Sequence, residues 1–361
     1  MLASVKVKNF NISVVIPALN AEDYLPGLLE KIESQTLIPK EIVIVDSSLS
    51  KKTADIIEKW KGSIPIIYQR VDFAYPGHAR NIGVELAKEE WIAFIDCRMI
   101  PDCDWLELSA STAEKSGAKF VGALRISDAD THFKQILRAA TYGCSPIRTL
   151  AGSIVLKKTF EESGGFISDL RAGEDLEWMQ RLKSLGFKIS WMTTPSITYC
   201  GFVESLSKAV KKWHEYAFSN SVFEIRNNQK AIYMLSLLFA TFFLVYNWNA
   251  IFAEWDETSI YFLPNVTKIF MLVVFAVYVV YRGIIRPHQL KVKLSFLLPW
   301  RWLKVSFVGL CLDLAKTPGL SWGAILILYR RIRSIQDDSR IRKKPDVYRF
   351  SGMSKATTAT N

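Results

Sequence analysis

Two aspartates stand where short apolar runs give way to polar residues: Asp46 closes EIVIVD and Asp96 closes WIAFID. A carboxylate at such a point accepts hydrogen bonds, and a nucleotide's base or ribose offers donors for it. A turn or a helix N-cap offers them equally well. Arg80 falls between the two aspartates in sequence, its forked guanidinium suited to a phosphate or to a bidentate hold on Asp96. Farther on, Glu174 and Asp175 open a helical stretch whose apolar residues Leu176, Met179 and Leu182 recur on one face. Acidic residues at that point cap a helix and suit its dipole, whatever else they do. The histidines at His78, His132, His214 and His288 are dispersed, so no Ser-His-Asp relay is visible. The cysteines Cys97, Cys103, Cys144, Cys200 and Cys311 lack zinc-type spacing and read as free thiols.

Elements of definite length must position these groups. The runs 12–17, 41–46, 65–71 and 91–96 are short and rich in Val, Ile and aromatics, as buried strands are. Between them, 24–35, 51–61 and 78–88 carry apolar residues at helical spacing. Strands buried on both faces and alternating with helices make a largely parallel α/β sheet. Such sheets bind ligands at the carboxyl ends of their strands, where Asp46 and Asp96 stand. The first strand is followed by Pro17-Ala18-Leu19-Asn20 rather than by GxGxxG, which argues against a dinucleotide-binding dehydrogenase.

The charge is unevenly placed over the 361 residues. Residues 1–230 hold 29 basic and 28 acidic side chains, whereas 231–361 hold 17 and 7. A front half so nearly neutral is not a nucleic-acid-binding domain. The excess positive charge sits beside the most apolar part of the chain, which suits a membrane surface. Residues 231–253 run for 23 positions without a charge, enough to cross a bilayer core of about 30 Å. A second span is expected at about 267–285, with Arg282 snorkelling. The stretch between them carries Glu254, Asp256 and Glu257, while the outer flanks are basic, which puts the flanks on the cytoplasmic side. Residues 294–329 are apolar but interrupted by Arg301, Lys304 and Asp313, the pattern of interfacial or re-entrant helices. With no apolar run before Asn11, a secretory signal is not expected. The expected organisation is a cytosolic domain at 1–230, a multi-pass membrane region at 231–330 and a basic cytoplasmic tail at 331–361.

Four segments fall in a telling order: IPALNAEDYL at 16–25, VDSSLSKKT at 45–53, GHARNIGVELAKEEWIAFIDCRMIPDCDWL at 77–106, and GGFISDLRAGEDLEWMQRLKSLGFKI at 164–189. Together they resemble family 2 glycosyltransferases over about residues 11–199. The resemblance implies a GT-A-like fold, a mostly parallel nucleotide-binding sheet flanked by helices, followed here by the membrane helices. It implies a nucleotide-sugar donor bound by Pro17, Ala18, Asn20, Glu22, Asp46, Ser48, Arg80, Asp96 and Arg98. It also implies that Asp175 is the general base of an inverting transfer, with Glu174 behind it and Gly152 on the acceptor side. A membrane-held glycan or lipid would be the acceptor, and the inner membrane of a bacterium the setting.

The family pattern also implies a divalent cation, Mg²⁺ or Mn²⁺, held by Asp-x-Asp, but this chain reads Asp96-Cys97-Arg98. A guanidinium cannot ligate a cation. Three readings stay open: metal held by Asp96 with other groups such as Asp102 or His214, Arg98 supplying the positive charge instead, or loss of activity. Residues 210–216 lack the Gln-x-x-Arg-Trp of processive members, which favours transfer of a single sugar.

Overall fold

The computed structural model describes residues 10–222, 239 and 241–336. They fall into two compact units, one holding Ser145–Phe202 and the described residues up to Asp130, the other Thr131–Cys144 and those from Val203 onward. In chain order the elements are β1 (Ile12–Ala18), α1 (Leu25–Glu33), β2 (Glu41–Asp46), α2 (Lys52–Lys59), β3 (Ile66–Arg70), α3 (Pro76–Leu86), β4 (Trp91–Phe94), β5 (Met99–Pro101), α4 (Trp105–Ser116), β6 (Phe120–Ser127), α5 (His132–Thr141), β7 (Ile147–Leu156), α6 (Lys157–Glu162), α7 (Glu174–Ser184), β8 (Ile189–Trp191), β9 (Ile197–Tyr199) and α8 (Leu206–Val222). Helices α5 and α8 belong to the second unit.

The first unit is built on one mixed sheet in the order β3-β2-β1-β4-β7-β6-β9-β5, with β8 also beside β6. Its first four strands are parallel, as their continuous Val/Ile runs predict. Strand β7 then enters antiparallel to both β4 and β6, and β5 antiparallel to β9. Because β1 pairs with β2 on one side and β4 on the other, the connections reverse direction between β1 and β4. The crevice at their carboxyl ends is therefore the switch point at which open α/β sheets take ligands.

Close packing fixes the helices against the sheet. Helix α1 buries Leu25, Leu28, Leu29 and Ile32, one helical face. Helix α3 lies so tightly on β1 that a Cβ at Gly83 would come within 2.4 Å of Val15 Cγ1. Beneath α7, five rings (Phe94, Phe120, Phe160, Phe166 and Trp178) are fully buried. The Trp178 ring centroid lies 5.0 to 5.6 Å from those of Phe120, Phe160 and Phe166, in tilted and edge-on contacts. Here the expected face of α7 is corrected: Leu176 turns outward, and Glu174, Trp178 and Leu182 are the buried positions. The i, i+4 row containing Glu174 faces inward because that carboxylate has a buried cationic partner, described below, and this sets the phase of the helix.

The second unit is helical. Thr131 caps α5, its Oγ1 accepting from the Lys134 N–H at 3.3 Å, and Lys134 Nζ pairs with Glu204 at 2.8 Å. A helix from Val266 to Gln289 includes a π-turn at Tyr281–Ile285 and is the one helix among the described residues long and apolar enough to cross a membrane. At 24 residues it is about 36 Å long, and its Leu272, Val273, Phe275 and Val277 are exposed. It covers the expected span at 267–285. The expected span at 231–253 lies partly outside the described residues, so two spans are not both seen. In place of several interfacial helices over 294–329, a short helix Leu294–Leu297 precedes one long helix, Arg301–Gln336, that continues through Pro318. The Thr317 hydroxyl donates to the Asp313 carbonyl at 3.0 Å, in the turn before the proline. That long helix also carries the described start of the expected tail. Asp313 draws together Tyr278 at 2.9 Å, Arg282 at 2.9 Å and Lys316 at 3.2 Å.

Candidate functional site

Three loops at the carboxyl ends of β1, β2 and β4 make the crevice. After β1, Asn20 takes a left-handed conformation (φ 49°), which asparagine tolerates better than most residues. Its N–H donates to Ser48 Oγ at 2.7 Å, joining the first loop to the second. Asp46, fully buried, is the centre of the second loop. Its Oδ1 accepts from the Ser48 N–H at 2.9 Å and the Ser48 hydroxyl at 2.5 Å, and its Oδ2 accepts from the Tyr68 hydroxyl at 2.9 Å. Burial and this bond to Asp46 push the Tyr68 phenol up to about 12, so the phenol stays a donor. Arg70 donates to the carbonyls of Ser48 and Leu49 at 3.3 and 3.0 Å. Asp46 thus serves as an anchor for its own turn. Pro17 and Ala18 lie in β1 opposite Val45 and Asp46, and Ala18's carbonyl accepts from the Ser47 N–H at 3.0 Å. Glu22 is 3.6 Å from Lys52, and its Oε2 is a buried acceptor with no donor.

The third loop is a tight turn closed by the Met99 N–H donating to the Asp96 carbonyl at 3.0 Å. Cys97 turns inward, with Sγ 3.5 Å from the Pro17 carbonyl and its thiol pushed up by burial to about 12. Asp96 and Arg98 are the more accessible groups of that turn. Arg80, on α3, is buried between two carboxylates: Nη2 donates to Asp96 Oδ1 at 2.6 Å and Nη1 to Glu174 Oε1 at 2.8 Å. Burial works against its charge, yet Asp96 and Glu174 hold it protonated more firmly than water would. The expected bidentate hold on Asp96 is therefore shared between two acids. Gly77 permits this approach, since a Cβ there would meet Glu174 Cγ and the Ile167 carbonyl at 3.0 Å. Asn81 fastens the loop ahead of α7 twice, donating to the Phe166 carbonyl at 2.8 Å and accepting from its N–H at 2.9 Å.

Asp175 follows Glu174 at the start of α7. Its Oδ1 accepts from the Leu176 N–H at 2.8 Å. Burial holds its carboxyl above the usual aspartate range, with the charge of Asp96 adding to the rise and Arg80 opposing it. A poised carboxylate that remains half-buried has the chemistry of a general base. Asp46, Ser48 and Asn20 form one group, and Arg80, Asp96, Glu174 and Asp175 another. Gly152 belongs to neither: it sits in β7 at φ 96°, packed against Ile197 and Ala123, its carbonyl accepting from Trp105 Nε1 at 2.7 Å. Tyr68, Arg70 and Asn81 are partners that sequence reading passes over. Tyr68 stands two residues before Arg70, the register partner of Asp46 on β3, and that spacing in a neighbouring parallel strand is the signal that could reveal it.

The residues present do not fit a divalent ion held by the chain. Among the described residues no three His, Cys, Asp or Glu side chains come together. One Asp96 oxygen is committed to Arg80, and the next polar side chain in the turn is Arg98. His214 lies in the second unit, with Nδ1 3.0 Å from the Ala315 carbonyl. Asp102 is raised by burial and by Asp104, and its N–H donates to the Ser196 carbonyl.

Sheet and crevice define the class, an α/β protein that gathers acidic and basic groups at its switch point. The glycosyl transferase family 2 model matches residues 13–167, and that of glycosyl transferase family group 2 matches 107–285. The chain belongs to the family 2 glycosyltransferases. It is 23% identical over 194 residues to glycosyltransferase AglE of Haloferax volcanii, covering 50% of this chain and 64% of that one. It is 36% identical over 85 residues to the UDP-Glc:alpha-D-GlcNAc-diphosphoundecaprenol beta-1,3-glucosyltransferase WfaP of Escherichia coli, 24% of this chain and 34% of that one. The matches thus take in less than two thirds of either relative. Among solved structures, S. aureus TarS 1-349 in complex with UDP-GlcNAc is similar with a TM-score of 0.44 and 18% identity, covering 58% of this chain and 66% of that one.

Proposed function

We propose that this protein is an inverting glycosyltransferase that moves one sugar from a nucleotide-sugar donor to a glycan or lipid acceptor held at a membrane, in the synthesis of a cell-envelope or surface polysaccharide. The observation that carries this reading is Arg80 bonded at once to Asp96 and Glu174, which ties the switch-point turn to the helix that begins with Asp175. Asp175 takes the proton of the acceptor hydroxyl as that oxygen bonds to the anomeric carbon. The bond from that carbon to the donor's phosphate oxygen breaks on the opposite face, and the nucleoside diphosphate leaves with the electron pair. Asn20, Glu22, Asp46, Ser48, Arg80, Asp96 and Arg98, with the backbone at Pro17 and Ala18, make up the donor side.

The membrane setting is supported by the exposed apolar helix Val266–Gln289 and by the lipid-linked substrate after which WfaP is named. The catalytic unit works on the cytosolic face, where nucleotide sugars are met. A radiolabelled nucleotide-sugar panel, offered to membranes containing the full chain and followed by lipid extraction, tests the proposal. The expected product is lipid-extractable, one sugar heavier than the acceptor, and inverted at the anomeric carbon. A product in which the acceptor is a bare lipid phosphate would redirect the reading to polyprenyl-phosphate transfer. Nucleotide binding without transfer from any donor would leave only a binding protein.

A further inference from the structure

The chain brings two guanidiniums onto two tyrosine rings beside Asp96. Arg98 Cζ lies 5.4 Å from the centroid of Tyr24, which precedes α1 on the β1 side of the crevice. Arg125, on β6 and buried, lies 4.8 Å from the centroid of Tyr199 and donates to Ser127 Oγ at 2.8 Å. The sheet places these pairs together: Tyr199 on β9 is the register partner of Met99 on one side and of Ser127 on the other, and the Cys200 N–H donates to the Arg98 carbonyl at 3.0 Å. Burial holds the Tyr199 phenol above its ordinary value, with the charges of Arg125 and Arg98 opposing the rise and that of Asp96 adding to it. A side chain as long as arginine loses much rotamer freedom when it binds, and a ring face beneath it reduces that loss by holding it ready. The exposed Arg98 is thus a pre-positioned cation at the switch point, two residues from Asp96.

We infer that the Arg98 guanidinium, carried on the Tyr24 ring, binds the diphosphate of the donor, and that donor binding needs no divalent ion. This rests on the reading of the crevice as a nucleotide-sugar site and names which group meets its charge. A diphosphate needs positive charge, and a guanidinium supplies it permanently with forked donors that match phosphate oxygens. The adjoining Arg125 strengthens the local positive potential without having to touch the ligand.

Full-length protein in detergent, titrated calorimetrically with UDP, GDP and inorganic pyrophosphate, provides the test, each titration being run with excess EDTA and again with Mn²⁺. Pyrophosphate has the charge without the base, so it isolates the contact proposed. Wild type is expected to bind pyrophosphate and at least one nucleotide with EDTA present, and Mn²⁺ should change the affinity by less than about threefold. Arg98→Ala should weaken both ligands by roughly 10- to 100-fold, the scale of a charge-assisted contact, and Arg98→Lys should recover part of the loss. Tyr24→Ala should lose roughly 2- to 20-fold, the range of a cation–π contact, and Tyr24→Phe, which keeps a ring face, should recover part of that loss. Because Arg98 is exposed, an unchanged melting temperature will show that its variants remain folded. Binding that appears only with Mn²⁺, or an Arg98→Ala variant that binds as tightly as wild type, overturns the inference while leaving the transferase reading in place. Failure of all three ligands to bind with or without metal overturns both.

Discussion

Arg80 shows what a single buried charge contributes. Both its terminal nitrogens end on carboxylates, one in the turn after β4 and one at the start of α7. Removing it leaves Glu174 buried and uncompensated, so Arg80→Met should cost about 3–5 kcal/mol in urea unfolding. Arg80→Lys keeps the charge but not the fork, and should fall between the two. Asp175 leads to a pH prediction. Burial raises its pKa above the ordinary aspartate value of about 3.9, and a base works only when deprotonated. The acid limb of kcat/KM should therefore lie above that value, with activity rising as pH rises through it, and Asp175→Asn should remove the limb. A limb at or below the ordinary aspartate value would show that another group titrates. Asp46, Asp96 and the Glu174-Asp175 pair stand out in the sequence because they abut strand or helix ends, and Arg80 because it shares the segment 77–106 with Asp96. Tyr68, Tyr24, Tyr199 and Arg125 do not, because their relevance depends on register and on which ring a guanidinium meets.

At the level of elements, the parallel half of the sheet was readable from its runs of Val and Ile, and the strand limits differ from expectation by a residue or two. The antiparallel entry of β7 was not, since β6 and β7 become neighbours across α5, which belongs to the other unit, and no local pattern encodes such a return. The phase of α7 was misread for a related reason. Leu176 is apolar by type, but Glu174 is held inward by Arg80, and four residues on Trp178 fills the aromatic core. Asn81 joins α3 to the loop that delivers α7, through two buried hydrogen bonds. Asn81→Ala would strip both, so a loss of about 2–3 kcal/mol in stability is expected. The slackened start of α7 should lower kcat more than it weakens donor binding. Equal loss of the two would mean that the loop also shapes the donor pocket.

For the whole molecule, charge and hydropathy suggest an α/β part up to residue 230 followed by a helical, apolar one; the two compact units divide after Phe202, with Thr131–Cys144 in the second. Among the described residues of the second unit, Val266–Gln289 is the segment suited to lipid, and Val277 at its middle is 63% exposed. A carboxylate there would face hydrocarbon, at about 2.5–3.5 kcal/mol for a charge at mid-helix. Val277→Asp should move a substantial share of the protein out of the lipid layer in a vesicle flotation assay, while wild type floats. If both float alike, this helix does not carry the attachment. The unbroken helix across Pro318 was not foreseen, because proline is a helix breaker on average.

The central claim is that Asp175 takes the proton in a sugar transfer for which the crevice binds the donor. The measurement that tests it most directly pairs turnover with donor binding for the full-length wild type and Asp175→Asn on one nucleotide sugar. Turnover by the variant should fall by roughly 10²- to 10⁴-fold, the scale of a lost general base, while the donor dissociation constant stays within about threefold and the melting temperature holds. Turnover by Asp175→Asn close to that of wild type would contradict the account.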